Sequence, residues 1–354
     1  MLLLFSVGIL PCGLSAAIAA KESYYQGKTI TIVVGYGAGG GADMFSRLMS
    51  RHLGRFLPGN PNLVVRNMSG GDGLIAANYA YKSAKPNGLT VFTSSGGNTG
   101  ANYLRPKGTE HYLEKMIPVI STSQGSVLVV KPNIGIKEPK DLYTCTELIF
   151  GGTGPVGGSE AHFFWAFQFM GLQLKKGVYG YESSGAARMG FFSGELNTNA
   201  ATTISYNNTL KAYVQRGEAL PVCQSGLVDA SGNIVREPAA PDVPTYPELY
   251  QQVKGNAPSG IAWEAYKLVL AGSTYDKTLL LPPATPEEIV DIWRKAVLEM
   301  VKDPKFRKDA DLINPGAPLV VGDALVRGYP KAVSGPPDLI QHMKKTLSEK
   351  TGAL

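Results

Sequence analysis

The chain has 354 residues, of which 44% are hydrophobic and 18% are charged, a composition typical of globular proteins rather than of disordered chains. Its formal net charge of +6 gives a mild attraction for anions. Because no cluster of Lys and Arg is interleaved with aromatic residues, nucleic acid is excluded as an expected partner.

The N-terminal segment, residues 1–20, reads MLLLFSVGILPCGLSAAIAA and contains no charged residue. An apolar run followed by Ala17-Ile18-Ala19 is typical of a secretory signal peptide, but the usual positive residues before the run are missing. That absence leaves the true start codon open. We expect a signal peptide at residues 1–20 and export to the periplasm. No later stretch has eighteen consecutive apolar residues, so no membrane span is expected.

Two cysteines, Cys145 and Cys223, remain after removal of such a signal. They could pair in an oxidising compartment. Their distance along the chain gives no geometric evidence, so a disulfide and two free thiols both stay open. The sequence has neither a C-x-x-C nor an H-E-x-x-H motif, and its four histidines are scattered. No metal site is expected.

The first strand is predicted within residues 28–35, KTITIVVG, where a buried apolar run enters a glycine turn. Residues 42–57 follow with apolar side chains at helical spacing. The same order of strand, glycine turn and helix recurs from the strands predicted at 62–67 and 89–95. This repetition predicts an α/β domain with a mostly parallel sheet.

A second α/β domain with a mostly parallel sheet is predicted over residues 127–249, because the strand at 126–132 is followed by further loop-and-helix units. Residues 226–248 are rich in Pro, Gly and Asp and are interpreted as a connector. Residues 286–306 predict an amphipathic helix. We assign domain 1 to residues 27–126 together with 250–354, which places the C-terminal helices on the first domain.

The loop VGYGAGGGAD, residues 34–43, matches the dinucleotide motif G-x-G-x-x-G at Gly35, Gly37 and Gly40. A glycine turn at a helix N-terminus presents free N–H groups to any anion. A dinucleotide site also needs an acidic residue at the end of the second strand, where this chain has Arg66-Asn67. A Rossmann-type NAD(P)-dependent oxidoreductase is therefore kept only as the alternative function, and no cofactor is expected.

A hydrolase is also considered, because Ser159, Glu160 and His162 are close neighbours. The chain has no G-x-S-x-G elbow, and residues within one helical turn rarely reach the geometry of a catalytic triad. The protein is therefore expected not to be an enzyme.

Several motifs resemble, in chain order, the Bug (TctC-type) solute-binding proteins of tripartite tricarboxylate transporters. The first family loop is similar to Tyr36-Gly37-Ala38-Gly39-Gly40 with Asp43 and Arg47, and the family's V-V-E-N-x-P-G-A-G-G aligns with residues 64–73. P-D-V-P-T-x-x-E is intact at 241–248, and the matches run through residues 30–310. Arg66, Ser69 and Asn87 depart from the family pattern, so a divergent member is indicated.

The resemblance implies a Venus-flytrap clamshell of the type II-like periplasmic binding proteins, closing on a small di- or tricarboxylate or an aromatic acid. It implies a monomer that delivers this ligand to membrane transporter subunits. The acid, the transporter and a possible sensing role stay open. Position by position, the implied ligand-binding residues are Tyr36, Gly39, Gly40, Gly41, Asp43, Ser94, Ser95 and Asn98 in domain 1, and Thr153, Gly154, Ser159, His162, Ser183, Ser184, Gly185 and Thr202 in domain 2.

Structural roles compete with ligand contact at some of these positions. Asp43 is expected in the first turn of a helix, where it stabilises the helix dipole and can pair with Arg47 four residues on. Ser183 and Ser184 can cap the next helix. His162 can be a buried residue with satisfied hydrogen bonds.

Overall fold

A computed structural model describes residues 24–229 and 231–352. The signal peptide predicted at residues 1–20 lies outside the described residues. Within these two ranges, no helix combines the length and the apolar character needed to cross a bilayer.

The first of two large sheets contains six strands in the order β13-β4-β12-β3-β1-β2. Strands β1, β2 and β3 are parallel, whereas β12, β4 and β13 join by antiparallel pairing. The sheet is therefore mixed, which corrects the prediction of a mostly parallel sheet. The strand bounds are β1 Thr29–Val34, β2 Asn62–Asn67, β3 Thr90–Ser94, β4 Ile117–Thr122, β12 Lys277–Leu281 and β13 Leu319–Val320.

The second large sheet has five strands in the order β7-β6-β8-β5-β9. Strand β6 is parallel to β7 and β8, and β5 is antiparallel to β8 and β9. It is also mixed, because β5 enters directly from the first sheet without a crossover helix. Its strands are β5 Ser126–Val130, β6 Ile149–Gly152, β7 Lys176–Tyr179, β8 Thr198–Thr202 and β9 Leu220–Gln224.

Each predicted glycine turn leads from a strand into a helix. The helices are α1 Gly41–His52, α2 Leu74–Lys82, α3 Gly96–Leu104, α4 Gly158–Met170, α5 Ser184–Ser193, α6 Thr203–Ser205, α7 Lys211–Gln215, α8 Tyr246–Lys254, α9 Ile261–Gly272, α10 Glu287–Met300, α11 Pro304–Ile313, α12 Gly322–Ala332 and α13 Pro337–Thr351. A π-helix, Tyr206–Leu210, joins α6 to α7, and short 3₁₀ helices occupy Leu53–Phe56, Leu113–Lys115, Pro132–Ile134, Pro139–Tyr143 and Ser273–Tyr275. The amphipathic run predicted at 286–306 therefore forms α10 and the start of α11.

The C-terminal helices pack on both halves of the molecule. Trp293 of α10 is buried in the core behind the first sheet and donates a hydrogen bond from Nε1 to Tyr25 Oη at 2.9 Å. In contrast, Tyr266 of α9 and Leu347 of α13 belong to a cluster with Phe163 of α4 and Leu128 of β5. Although the sequence analysis assigns residues 250–354 to domain 1, α9 packs against α4 of the second half in this structure.

The predicted connector contains a short hairpin, β10 Leu227–Val228 with β11 Ile234–Val235. Just beyond it, the buried Glu237 accepts hydrogen bonds from the Gly125 amide and from Thr203 Oγ1. Gly125 lies between β4 and β5, where the chain passes from one sheet to the other. Cys145 and Cys223, whose pairing was left open, are both free thiols in this structure.

Candidate functional site

The N-termini of four helices converge on a small cavity between the two sheets. α1 and α3 follow strands of the first sheet, and α4 and α5 follow strands of the second. The cavity has a volume of about 40 Å³, and residues from the beginning of all four helices line it. Free first-turn N–H groups and the helix dipole both favour a bound anion at such ends.

The start of α1 leaves its first amides without a side-chain cap. Its N-cap is Gly40, which has no side chain to accept their hydrogen bonds. A Cβ atom on Gly41 would lie only 2.8 Å from Thr202 Oγ1, and one on Gly40 would lie 3.4 Å from Ser184 Oγ. The absence of side chains at Gly40 and Gly41 thus brings the α1 backbone against hydroxyl groups from the opposite half.

Protein groups already satisfy two of the other helix ends. Asp276 Oδ1 accepts a hydrogen bond from the Gly96 amide of α3 at 2.7 Å, and Asp276 is itself paired with the buried Lys277. Ser183 Oγ accepts from the Ala186 amide of α5 at 3.1 Å. The starts of α1 and α4, with Gly40 and Gly157 as N-caps, lack a side-chain cap. Because α4 carries the Glu160 carboxyl in its first turn, α1 is the more suitable end for an added anion.

Gln124 lies beside the start of α1 with unused hydrogen-bonding capacity. It is only 1% exposed, and neither its Nε2 nor its Oε1 has a partner. Both atoms lie within 3.5 Å of the position that a Cβ on Gly41 would occupy. An unpartnered amide is costly in a buried position, so this arrangement favours a bound ligand or water next to Gly41.

Two carboxyl groups, that of the buried Glu160 and that of the half-buried Asp72, form another part of the cavity wall. Thr153 holds both: its Oγ1 donates to Asp72 Oδ1 at 2.8 Å, and its backbone amide donates to Glu160 Oε1 at 3.3 Å. Ser159 Oγ donates to Glu160 Oε2 at 2.8 Å, whereas Asp72 Oδ2 is buried without a partner. Burial raises the pKa of Asp72 to about 6. Burial, with a smaller effect of the Asp72 charge, raises the pKa of Glu160 to about 7.

Hydrogen bonds cross the cleft around this cavity, which gives a closed arrangement of the two halves. Besides the bond between Thr153 and Asp72, Ser69 Oγ donates to Glu182 Oε1 at 2.9 Å. Arg188 Nη2 donates to the Gly39 carbonyl at 3.1 Å. Burial lowers the pKa of Arg188 to about 10. A second cavity of about 360 Å³ adjoins the first, and Tyr36, Asp72 and Thr153 line both.

Half of the sequence-predicted ligand-binding residues line the inner cavity. They come from both halves of the molecule and consist of glycines, hydroxyl side chains and one tyrosine: Tyr36, Gly40, Gly41, Ser95, Thr153, Ser159, Ser184 and Thr202. Tyr36 Oη donates to the Asp72 carbonyl at 3.0 Å, so it also positions the loop after β2.

Several of the remaining predicted residues of the first half support the loops behind the cavity. Asp43 accepts hydrogen bonds from the Gly39 amide, Arg47 Nε and Asn67 Nδ2 at 2.9–3.1 Å, so its carboxylate is already satisfied. Asn98 closes a capping box with Ser95 and donates to the Gly73 carbonyl at 3.0 Å. Ser94 is buried at the end of β3.

His162 and Ser183 of the second half also have structural partners. His162 is within hydrogen-bond distance of Ser126 Oγ and Ser273 Oγ, at 3.1 and 2.5 Å, and burial lowers its pKa to about 4. Ser183 caps α5. Gly154 lies beside Asp72, and a Cβ on Gly185 would lie 3.4 Å from the Ala38 carbonyl oxygen across the cleft.

Sequence reasoning missed seven residues that line the cavity. They are Ala42, Asp72, Gly97, Gly157, Gly158, Glu160 and Lys277. A signal was available for Asp72, which is an acidic residue where the quoted family motif has a glycine. No local signal was available for Lys277, because its place in the wall depends on pairing with Asp276 and on the antiparallel entry of β12.

Comparison with known proteins defines the fold class first: this is the two-domain fold of periplasmic binding proteins. The periplasmic binding protein BugD aligns with a TM-score of 0.67 and 16% identity, covering 93% of this chain and 99% of BugD. MatC from Rhodopseudomonas palustris, solved with bound malate, aligns with a TM-score of 0.63 and 20% identity, covering 91% of this chain and 98% of MatC.

A protein with a similar sequence covers most of the chain. A UPF0065 protein of Bordetella bronchiseptica is 25% identical over 308 residues, or 81% of this chain and 77% of the relative. No family model matches the chain. The chain is thus similar in sequence to this relative and in fold to BugD, which agrees with the resemblance of its motifs to Bug/TctC-type proteins.

Proposed function

We propose that the protein is a periplasmic solute-binding protein that captures a small organic carboxylate and delivers it to a tripartite tricarboxylate-type membrane transporter. The observation that carries this proposal is the uncapped start of α1, which faces hydroxyl groups of the other half across a closed cavity. MatC, which shares the fold, is described with malate, a carboxylate. Export to the periplasm is part of the proposal.

The ligand carboxylate is placed at Gly41 and Ala42, where backbone N–H groups lack a side-chain cap. Ser184 and Thr202 add hydroxyl donors from the second half, and Gln124 adds an unpaired amide. Hydrogen bonds to a charged group contribute more than those between neutral groups. Neutral donors hold the anion without a fixed opposite charge.

Domain closure follows from the distribution of these donors. Gly41 belongs to the first half and Ser184 to the second, so only the closed arrangement uses both sets. A ligand that binds the closed state better shifts the population towards it. Opening then separates the donors and weakens binding, which suits transfer to a transporter by a monomeric carrier.

The size of the cavity favours a short acid. A volume of about 40 Å³ accommodates only a few non-hydrogen atoms between the closed halves. A longer di- or tricarboxylate or an aromatic acid has to extend past Asp72 into the outer cavity of about 360 Å³. For a short acid and for a longer one, the same carboxylate binds at the start of α1.

A carboxylate panel tests the proposal by thermal shift and isothermal titration calorimetry. At least one acid is expected to raise the melting temperature in a concentration-dependent manner, because ligand binding stabilises the native state. Ser184→Ala and Thr202→Ala should each weaken the binding of that acid by about 1–3 kcal/mol. The matched control is Ser348→Ala, on the exposed face of α13.

Two results would contradict the proposal. One is the absence of binding by any acid in the panel. The other is equal affinity for wild type, Ser184→Ala and Thr202→Ala, which would remove this cavity from the binding reaction. Saturable NADP binding with turnover would instead support the oxidoreductase alternative.

A further inference from the structure

The inner cavity combines an anion-binding end with an acidic end. The acidic end consists of Asp72 and Glu160, held by two neighbouring donors of Thr153. Glu160 is 6% exposed, and Asp72 Oδ2 is buried and unpartnered. A simple dicarboxylate would bring a second negative charge towards these two groups, which is unfavourable at low local dielectric.

Two positive groups lie near the cavity, and neither forms a direct ion pair with the acidic end, although the charge of Glu160 acts on Arg188. Lys277 lines the cavity, but its ammonium is paired with Asp276. Arg188 donates to the Gly39 carbonyl, and its Nη1 has no partner. Among the ion pairs of the described residues, none includes Asp72 or Glu160.

We propose that Asp72 and Glu160 form a subsite for a positively charged group of the ligand, so that the protein selects amino-carboxylates over plain mono- and dicarboxylates. This inference rests on the proposed function, because the ligand carboxylate is placed at the start of α1. The ammonium group donates to the free Asp72 Oδ2 and lies next to Glu160. The ligand is then electrically neutral overall and matches both ends of the cavity.

The geometry fits this division of roles. Gln124, which is unpartnered and 1% exposed, lies with Gly41 and Thr202 at the anion end. Asp72 lies at the boundary with the outer cavity. Because the inner cavity has a volume of only about 40 Å³, the ligands to test are short ones, with one to three carbon atoms between their charges.

Matched ligands test the subsite on the full wild-type chain. Glycine, β-alanine and 4-aminobutyrate are compared with propionate, butyrate and valerate, in which a methyl replaces the ammonium group. In malonate, succinate and glutarate, a second carboxylate replaces the ammonium group. At the best chain length, calorimetry should show the amino acid binding at least tenfold more tightly than both analogues.

Variants then test which residues cause the preference for the amino acid. Asp72→Asn and Glu160→Gln keep the side-chain size and remove the charge. Each should reduce the preference for the amino acid over its methyl analogue by about tenfold. Asp242→Asn, at an exposed position away from the cavity, is the matched control and should keep the wild-type ratio.

The outcomes separate this inference from the proposed function. If a methyl analogue or a dicarboxylate binds wild type as tightly as the amino acid, the cation subsite is wrong while carboxylate capture stands. If no member of these series or of the wider acid panel binds, both are wrong. The comparison in wild type decides the question even if a variant fails to fold.

Discussion

Gly41→Ala provides the sharpest test of the closed site, because it adds one carbon atom where the two halves meet. The new Cβ would lie 2.8 Å from Thr202 Oγ1 and 3.3 Å from Gln124 Nε2. Thr202 caps α6 by accepting from the Ser205 amide, so its hydroxyl cannot turn away without losing that bond. Closure of the mutant must therefore displace the cap or leave the halves further apart.

The magnitude follows from the bonds that the extra carbon disturbs. Loss of a helix cap costs about 1 kcal/mol, and loss of one hydrogen bond to a charged carboxylate costs about 1.5–3 kcal/mol. Together these give about 2.5–4 kcal/mol, which is roughly 70-fold to 1,000-fold in Kd. In the absence of ligand, the open protein should unfold at the same temperature or higher, because Ala is favoured over Gly in a helix by about 0.5–1 kcal/mol.

Calorimetry with the best acid from the panel measures the affinity, and small-angle scattering measures closure on ligand addition. Gly37→Ala is the matched control in the same loop, since its Cβ would make only ordinary contacts with Glu182 at 3.6 Å. Wild-type affinity and full closure of Gly41→Ala would refute the close approach of α1 to Thr202, and with it the position assigned to the ligand carboxylate.

Two further predictions concern buried titratable groups. The raised pKa values of Asp72, about 6, and Glu160, about 7, mean that these carboxyls bind protons more tightly in the folded protein than in the unfolded chain. Their contribution is therefore most favourable below pH 4 and is lost as the pH rises towards 7. As the pH rises from 4 to 7, the melting temperature of wild type should fall relative to that of Asp72→Asn. A difference in melting temperature that stays constant with pH would contradict the burial of the Asp72 carboxyl. His162→Gln should lower the free energy of unfolding by about 1–3 kcal/mol in urea, because Ser126 and Ser273 lose a buried partner. Ligand affinity of the folded fraction should stay within about threefold of wild type, and a large loss of affinity without loss of stability would instead place His162 in the binding site.

Local sequence signals predict the framework of the site well. The runs before Gly35 and Gly96 predict strands that deliver helix N-termini to one edge of a sheet, and β1 with α1 and β3 with α3 form as expected. Apolar periodicity also predicts α10, whose Trp293 is buried behind the first sheet. These features depend on residues close together in the chain, where propensity and turn chemistry act.

The state of each helix end depends on distant residues and was not predictable in the same way. The α3 end looks as suitable for an anion as the α1 end, yet Asp276 occupies it from 180 positions away. The mixed sheets have a similar origin, because the antiparallel place of β12 is set by pairing with β3 and β4 rather than by its own sequence. Residues 250–354 divide between two cores for the same reason.

The charge of Asp72, in a glycine-rich loop at the cleft, affects the free energy of domain closure. Asp72 lies at the cleft between the halves: a Cβ on Gly154 of the opposite half would lie 3.5 Å from Asp72 Oδ2, and one on Gly97 of the same half would lie 2.9 Å from Oδ1. Closure therefore removes water from the carboxylate whether or not a ligand is present, and an unpartnered charge there opposes closure. A ligand that supplies a positive group removes this penalty, whereas a ligand that supplies only negative charge increases it. The same carboxylate thus penalises closure around the wrong ligand, so selectivity can arise from the closing step itself rather than from the strength of the carboxylate contact at α1.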